Sequence, residues 1–306
     1  MNEGKKMSKG LKIVGIIVAA LAALLILVTA TIYGISQQHW NTTYELSSEP
    51  VEVTNDLSVI EHGRHLLTIR GCFDCHGENL AGKIFLEDPV VGRIVATNLT
   101  AGEGGIGGHY SDEDYVRAIR KGIKKNGKPV LFMPSHEYAL IHQRDMSAIV
   151  SYIRNTEPVD NYLPENKINI PMRAMYVLGN DINLFPARII DHSLPIPLEE
   201  PATVLEKGMY LSTTCIGCHG RNLSGGRIPG VPPNWPEASN LTPKGFIADW
   251  SEADFFRAMR EGETPDGRKL QEEFMPYSMI GQMTDEELHA LFAYLNTIEP
   301  LETGTK

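Results

Sequence analysis

The sequence predicts an all-α protein, with one N-terminal membrane helix followed by two tandem copies of a helical unit. Three observations carry this expectation. Residues Ile13 to Ile35 form an uncharged run, IVGIIVAALAALLILVTATIYGI. The pattern Cys-x-x-Cys-His occurs twice, as Cys72-Phe73-Asp74-Cys75-His76 and Cys215-Ile216-Gly217-Cys218-His219. The residues that follow the two copies repeat one another.

The apolar run comes first. As a helix it spans about 35 Å, enough to cross a hydrocarbon core of roughly 30 Å. A cleavable signal peptide has an apolar region of only about 7–15 residues and a small-x-small site after it. The run is therefore read as an uncleaved transmembrane helix over 13–35. Residues 1–12 hold Lys5, Lys6, Lys9 and Lys12 against Glu3 and are expected as a cytoplasmic tail. Everything from about residue 37 onward then lies across the membrane. Residues 36–59 are polar and read as a stalk.

Beyond residue 12 the chain carries 24 basic and 37 acidic residues, a balance of −13 against −10 for the whole. That argues against nucleic acid, which needs a basic footprint. It suits cationic or patch-matched protein partners, and it also simply keeps an exported protein soluble.

Cys-x-x-Cys-His is the attachment pattern of a c-type haem. Two thiols bond to the two vinyl groups of one porphyrin, and the adjacent histidine reaches the iron from one face. All four cysteines of the chain lie in the two motifs. A redox dithiol would not need the histidine twice, and zinc would require two distant halves to meet at one ion. Two covalently attached haem c groups are the expected cofactors, and their propionates would make the surface more acidic still.

The duplication extends the assignment. Asn98-Leu99-Thr100 corresponds to Asn240-Leu241-Thr242, Tyr110 through Gly122 to Trp250 through Gly262, Phe132-Met133-Pro134 to Phe274-Met275-Pro276, and Glu157-Pro158 to Glu299-Pro300. The units are about 60–158 and 205–306, joined by a connector over 159–204. Short helices are expected over 63–69 and 206–213, feeding the two motifs. Ser111 and Ser251, each followed by acids, start middle helices that Gly122 and Gly262 stop. Last helices run over 145–155 and 285–296, the latter with a Thr284-x-x-Glu287 capping box and an apolar face of Leu288, Leu291, Phe292 and Leu295.

A six-coordinate iron needs a second ligand opposite its histidine. Candidates are Met133, Met146, His109, His136 and His142 in the first unit, and Met275, Met279, Met283 and His289 in the second. Only Met133 and Met275 occupy equivalent places, each in a Phe-Met-Pro loop before the last helix. The other methionines read as core packing, and the spare histidines as surface residues. The expected pairs are His76/Met133 and His219/Met275. Thioether ligation raises the reduction potential of such a haem.

This constellation resembles the class I cytochrome c fold. It is similar, more narrowly, to the multi-haem cytochrome subunits of bacterial periplasmic membrane dehydrogenases for alcohols and sugar acids. The phrases that carry the resemblance are Asn240-Leu241-Thr242-Pro243, Trp250-Ser251, Phe256-Arg257-Ala258-Met259-Arg260-Glu261-Gly262, Pro265-Asp266-Gly267-Arg268 and Met275-Pro276. This chain has two motifs where that family typically has three, and its membrane segment is N-terminal rather than C-terminal. The resemblance implies that Gly63 crosses the last helix at Tyr152, and Gly208 at Tyr294. It also implies that Tyr110 and Trp250, with Asn98 and Asn240 nearby, face the haem propionates.

The connector is punctuated by Pro164, Pro171, Pro186, Pro195, Pro197 and Pro201. It is too long and too apolar for a solvated loop, so a short helix over 172–178 is expected, with the rest lying across both units. The function expected is electron transfer, not catalysis, in a respiratory or photosynthetic chain at the bacterial inner membrane, with the haem units on the periplasmic side. Partners would be a dehydrogenase, a quinol-oxidising complex, an oxidase or another cytochrome. The competing reading is a dihaem redox enzyme of the peroxidase or thiosulfate dehydrogenase type, which would need one haem to differ from the other.

Overall fold

The computed structural model describes residues 9–47, 49–179, 182–231 and 234–305. Helix α1 (Lys9–Asn41) is the one helix among the described residues long and apolar enough to cross a membrane. It runs beyond the apolar stretch, so the expected stalk begins as helix. The following residues are no free tether, because they lie along the first unit as a strap. Tyr44 N–H bonds the Gly127 carbonyl at 2.9 Å. Buried Glu49 pairs with Arg120 at 2.9 Å and Lys121 at 2.7 Å. Thr54 N–H reaches Ser151 Oγ at 3.1 Å.

The first unit comprises α2 (Leu57–Ile69), α3 (Cys72–His76), β1 (Lys83–Asp88), β2 (Gly92–Ala96), α4 (Asp112–Lys121), α5 (Ser135–Tyr138) and α6 (Gln143–Asn155). The connector adds β3 (Lys167–Ile168), α7 (Ile170–Leu178) and one 3-10 turn at Pro186–Arg188. The second unit repeats the helices as α8 (Val204–Ser212), α9 (Ile216–His219), α10 (Glu252–Glu261), α11 (Tyr277–Ile280) and α12 (Asp285–Leu295).

The all-α expectation needs correcting. Strands β1, β2 and β3 form an antiparallel sheet in that order, with Lys83 opposite Ala96 and Gly92 opposite Ile168. Among the described residues of the second unit, the same place carries one isolated bridge, Gly226 to Ala238. The reason is in the intervening residues. Those of the first unit include β-branched Ile84, Ile94 and Val95, whereas Pro229 and Pro236 in the second supply no ladder N–H.

The middle helices start as their sequences dictate. Ser111 Oγ accepts from Asp114 N–H while the Asp114 carboxylate accepts from Ser111 N–H, and Ser251 with Asp254 repeats the box. Gly122 and Gly262 close both helices in the left-handed conformation, at φ 66° and 67°. Within each unit the first helix crosses the last at a glycine. A Cβ on Gly63 would collide with the Ala148 carbonyl and touch Tyr152; one on Gly208 would strike the Ala290 carbonyl and Tyr294. The two cores are continuous, with Leu66, Leu67 and Met146 of one and Leu211, Met283 and Leu288 of the other in a single apolar cluster.

A separate cluster of Ile94, Ile168, Met172, Leu184 and Phe185, with Trp40 and Tyr176 against it, joins sheet, connector and the end of α1. The connector's contacts run chiefly to the first unit and α1; on the second unit, Ile182 meets Gly230 at 3.7 Å from an added Cβ.

The helix crossing is testable. Gly208→Ala is expected to destabilise the protein by about 1–3 kcal/mol, since a well-packed contact must open. Gly108→Ala, where a Cβ meets nothing within 4 Å, should change stability by less than about 0.5 kcal/mol. Denaturant midpoints of the haem-loaded protein in detergent give the comparison.

Candidate haem sites

Each Cys-x-x-Cys-His segment folds as a short helix directly after the first helix of its unit, so the glycine crossing sets where the thiols and imidazole sit. In both units a backbone carbonyl then fixes the histidine. His76 Nδ1 lies 2.8 Å from the Thr97 carbonyl, and His219 Nδ1 2.7 Å from the Ser239 carbonyl. Each Nδ1 must carry the proton to donate, which leaves Nε2 with its lone pair for a metal. Burial pushes both imidazoles below their ordinary value, with those carbonyl bonds opposing. The neutral form, the one that ligates, is thereby favoured.

The two methionines are placed by proline. Pro134 (φ −78°, ψ 51°) and Pro276 (φ −73°, ψ 65°) each centre an inverse γ-turn. In these turns Ser135 N–H bonds the Met133 carbonyl at 2.8 Å, and Tyr277 N–H the Met275 carbonyl at 2.7 Å. Arginine clamps the residues beyond. Arg120 donates to the carbonyls of Ile141 and Ala139, and Arg260 to that of Gly281.

In the second unit Cys215, His219 and Met275 line one narrow slot, partly open to solvent, with Trp250, Phe246 and Leu291 among its apolar walls. Thiol, imidazole and thioether converging on an apolar slot fit a covalently held haem c. In the first unit Cys72, Met133 and Tyr110 pack against the shared core, and the bond from His76 to Thr97 repeats that from His219 to Ser239. A broader open groove lined by Lys207, Glu252, Arg257 and Glu286 holds none of the eight candidate ligands.

The bland alternatives lose support here. Burial pushes Cys72 up to about 12, Cys75 to about 11 and Cys215 to about 12. A reactive dithiol requires the opposite shift. Among the described residues no three His, Cys, Asp or Glu side chains gather at a common metal point, so the two halves do not make a zinc site.

Several residues have other work than expected. Asn98 and Asn240 do not face outward. Their amides donate to the Val159 and Leu301 carbonyls at 2.8 and 2.7 Å, and their Oδ1 atoms accept from Thr100 and Thr242 N–H. They pin the loop whose preceding residues, Thr97 and Ser239, hold the histidines. The repeated Asn-Leu-Thr thus bears on histidine orientation. Tyr110 OH accepts from Lys125 N–H at 3.4 Å, while Trp250 does line the slot. Leu80 and Leu223, buried at equivalent places after the two motifs, both take left-handed conformations at φ 56° and 57°.

Met146 and Met283 are fully buried in the core. His109 and His289 are exposed. His136 and His142 are not surface residues, because the two units meet there. His136 Nε2 lies 3.8 Å from Glu137, and His142 stacks on Tyr210 with ring centroids 4.4 Å apart.

That interface is nearly symmetric. His65 and Tyr210 each stand two residues after the crossing glycine, and Asp145 and Glu287 each three residues before the alanine that glycine meets. His65 Nε2 meets Glu287 at 2.8 Å, and Tyr210 OH donates to Asp145 at 2.6 Å. The same contact is made twice with the units exchanged, as at a two-fold axis. Buried Arg70, two residues before Cys72, donates to Thr213 Oγ1 at 2.6 Å and to Thr214 Oγ1 at 2.9 Å, immediately before Cys215. Its guanidinium also lies 4.7 Å from the centre of the Tyr210 ring. Glu137 presses against Gly217 inside the second motif.

The fold and site therefore define a class, and comparison with known proteins names it. Residues 206–299 match the cytochrome c family. The second unit is a cytochrome c domain, a binder of covalent haem c. Over about four-fifths of its length the chain is similar to cytochrome c subunits of bacterial dehydrogenases. It is 25% identical over 273 residues to the alcohol dehydrogenase (quinone) cytochrome c subunit of Gluconacetobacter polyoxogenes, covering 80% of this chain and 57% of the relative. It is 26% identical over 272 residues to the fructose dehydrogenase cytochrome subunit of Gluconobacter japonicus, covering 82% and 55%. It is 29% identical over 171 residues to the gluconate 2-dehydrogenase cytochrome c subunit of Pantoea cypripedii, covering 53% and 38%. The chain thus spans little more than half the length of the first two.

Glu137 gives the interface a pH dependence. Burial pushes its carboxyl up to about 8, the Arg70 guanidinium pulling the other way. Between its ordinary value near 4.5 and 8, the folded protein holds a proton that the unfolded chain releases. Stability therefore falls as pH rises through this window and levels off above it. Glu137→Gln should remove that component. Its stability gain over wild type is expected to be small at pH 5 and to grow to roughly a few kcal/mol by pH 8. Paired denaturation curves across the range would show it.

Proposed function

We propose that this chain is a membrane-anchored dihaem c-type cytochrome that passes electrons between periplasmic redox partners at the bacterial inner membrane. The observation that carries the reading is the duplication of one complete donor set. Both units present two thiols, a histidine whose Nδ1 is tied to a carbonyl, and a methionine held by a proline-centred turn. Cys72 and Cys75 would bond one haem, with His76 and Met133 as its axial ligands. Cys215 and Cys218 would bond the other, with His219 and Met275. Each haem, when bound, supplies reversible one-electron chemistry between ferric and ferrous iron.

The protein's own part would be to hold each iron through a histidine and a methionine, limit water with apolar walls, and keep the two sites in fixed relation. Arg70, bonded next to both attachment segments, supports a direct relay between the units. The relatives' names support a dehydrogenase as electron donor, with a quinone-linked complex, an oxidase or another cytochrome as acceptor. The acidic surface beyond the anchor suits a basic docking patch on such partners. The likeness of the two donor sets weighs against an enzyme, which would need one haem with an open position.

The reading requires two haems per chain by intact mass; a single haem would overturn it. Met133→Ala and Met275→Ala should each alter the ferric spectrum of one haem. Each should also lower that haem's potential by on the order of 100 mV, well inside the roughly 0.8 V range that axial ligands control. A methionine whose loss leaves its haem's spectrum and potential unchanged is no ligand, and an iron left open in the wild type would favour the redox enzyme. Potentiometric titration of both variants reads each outcome.

A further inference from the structure

Helix α7 is apolar on two sides, yet only one of them is covered by protein. Its inner side holds Met172 and Tyr176 against the second apolar cluster. Its single charge, Arg173, is also turned inward and 6% exposed. Arg173 donates to Ser36 Oγ at 2.6 Å, Gln37 Oε1 at 3.2 Å and the Ile168 carbonyl at 3.1 Å, and it stacks 4.5 Å from the centre of the Tyr33 ring. The outer side carries Ile170, Met175 and Leu178, which are 40%, 41% and 74% exposed. Beside the helix start, Asn169 holds the hairpin tip through the Pro89 and Val91 carbonyls, and so places Val90, 46% exposed, on the same edge.

The contacts with α1 set the depth of this surface. Ser36 is the first residue after the apolar run, and Ile32 and Ser36 are the buried residues of α1. α7 is therefore bolted to the membrane helix at the level where acyl chains give way to headgroups. Charge does not oppose that location. Lys167 through Gly179 contains no carboxylate, and at the neighbouring hairpin tip the Asp88 carboxylate accepts from the Val90 and Val91 N–H groups at 2.7 and 2.9 Å. An apolar helix face at this depth is what an interfacial helix presents to lipid.

We propose that the outer face of α7 rests in the bilayer that α1 crosses, making a second membrane contact. This rests on the reading of α1 as an anchor. One spanning helix alone would leave the haem units free to tilt and swivel. A spanning helix clamped to an interfacial one fixes the first unit's orientation toward partners in the same membrane.

The test uses the full haem-loaded chain in phosphatidylcholine–phosphatidylglycerol vesicles. With the four native cysteines held in thioether bonds, Leu25→Cys, Leu178→Cys and Glu286→Cys each offer one free thiol for a nitroxide label. Collision with lipid-soluble oxygen is compared with collision with a water-soluble nickel chelate. The oxygen-to-nickel ratio at Leu178 is expected to lie between those at Leu25 and Glu286 and to exceed that at Glu286 several-fold. An aqueous ratio at Leu178 with a lipid ratio at Leu25 would overturn the second contact and leave the anchor standing. An aqueous ratio at Leu25 would overturn both. Shielding of Leu178 from both reagents would mean that protein, such as a second copy of the chain, covers it, and would likewise overturn the lipid contact.

Discussion

The closest approach of two backbones in each unit, Gly63 against the Ala148 carbonyl and Gly208 against that of Ala290, is the constraint on which the rest depends. The first helix of each unit ends at its Cys-x-x-Cys-His segment, so its distance from the last helix sets where thiols and imidazole stand relative to the core. A side chain at either glycine would force the helices apart and move the haem-binding donors with them. The histidine is then held from behind by a carbonyl and the methionine by a proline turn. In the second unit these features bring Cys215, His219 and Met275 to the walls of one slot.

Repetition also explains how the units associate. Domains with one ancestral surface can pack by exchanging equivalent contacts, and the pairs His65–Glu287 and Tyr210–Asp145 do so. The exchange is imperfect at its centre. Arg70 has no counterpart cation, since Thr213 stands in its place, and this asymmetry lets a buried guanidinium find hydroxyl partners instead of facing its own copy. Glu137 and Met279, likewise equivalent, differ for the same reason. One is a carboxyl within reach of Arg70's field, and the other lays its sulfur 3.0 Å from where a Cβ on Gly71 would stand.

The chain beyond the haem units is not passive. The strap after α1, the small sheet and the connector make a third body that joins α1 to the first unit. Its apolar cluster is separate from the shared core, and buried Arg173 sits where it meets α1.

The sequence by itself determined the apolar anchor run, the two attachment motifs, the equivalence of Met133 with Met275, the capped middle helices and the short helix in the connector. Each of these is local or repeated, and a period, a cap or a duplicated phrase makes it visible in one dimension. What only the tertiary structure decided was contact between distant residues and the use of backbone groups. Thr97 and Ser239 act through carbonyls that every residue possesses, so nothing in their identity announced them. Asn98 and Asn240 recur in both units, but recurrence does not say which way an amide points. His136 and His142 read as surface residues because the face that buries them belongs to the other unit. The sheet was missed because its third strand comes from the connector, and a two-residue strand has no period to read.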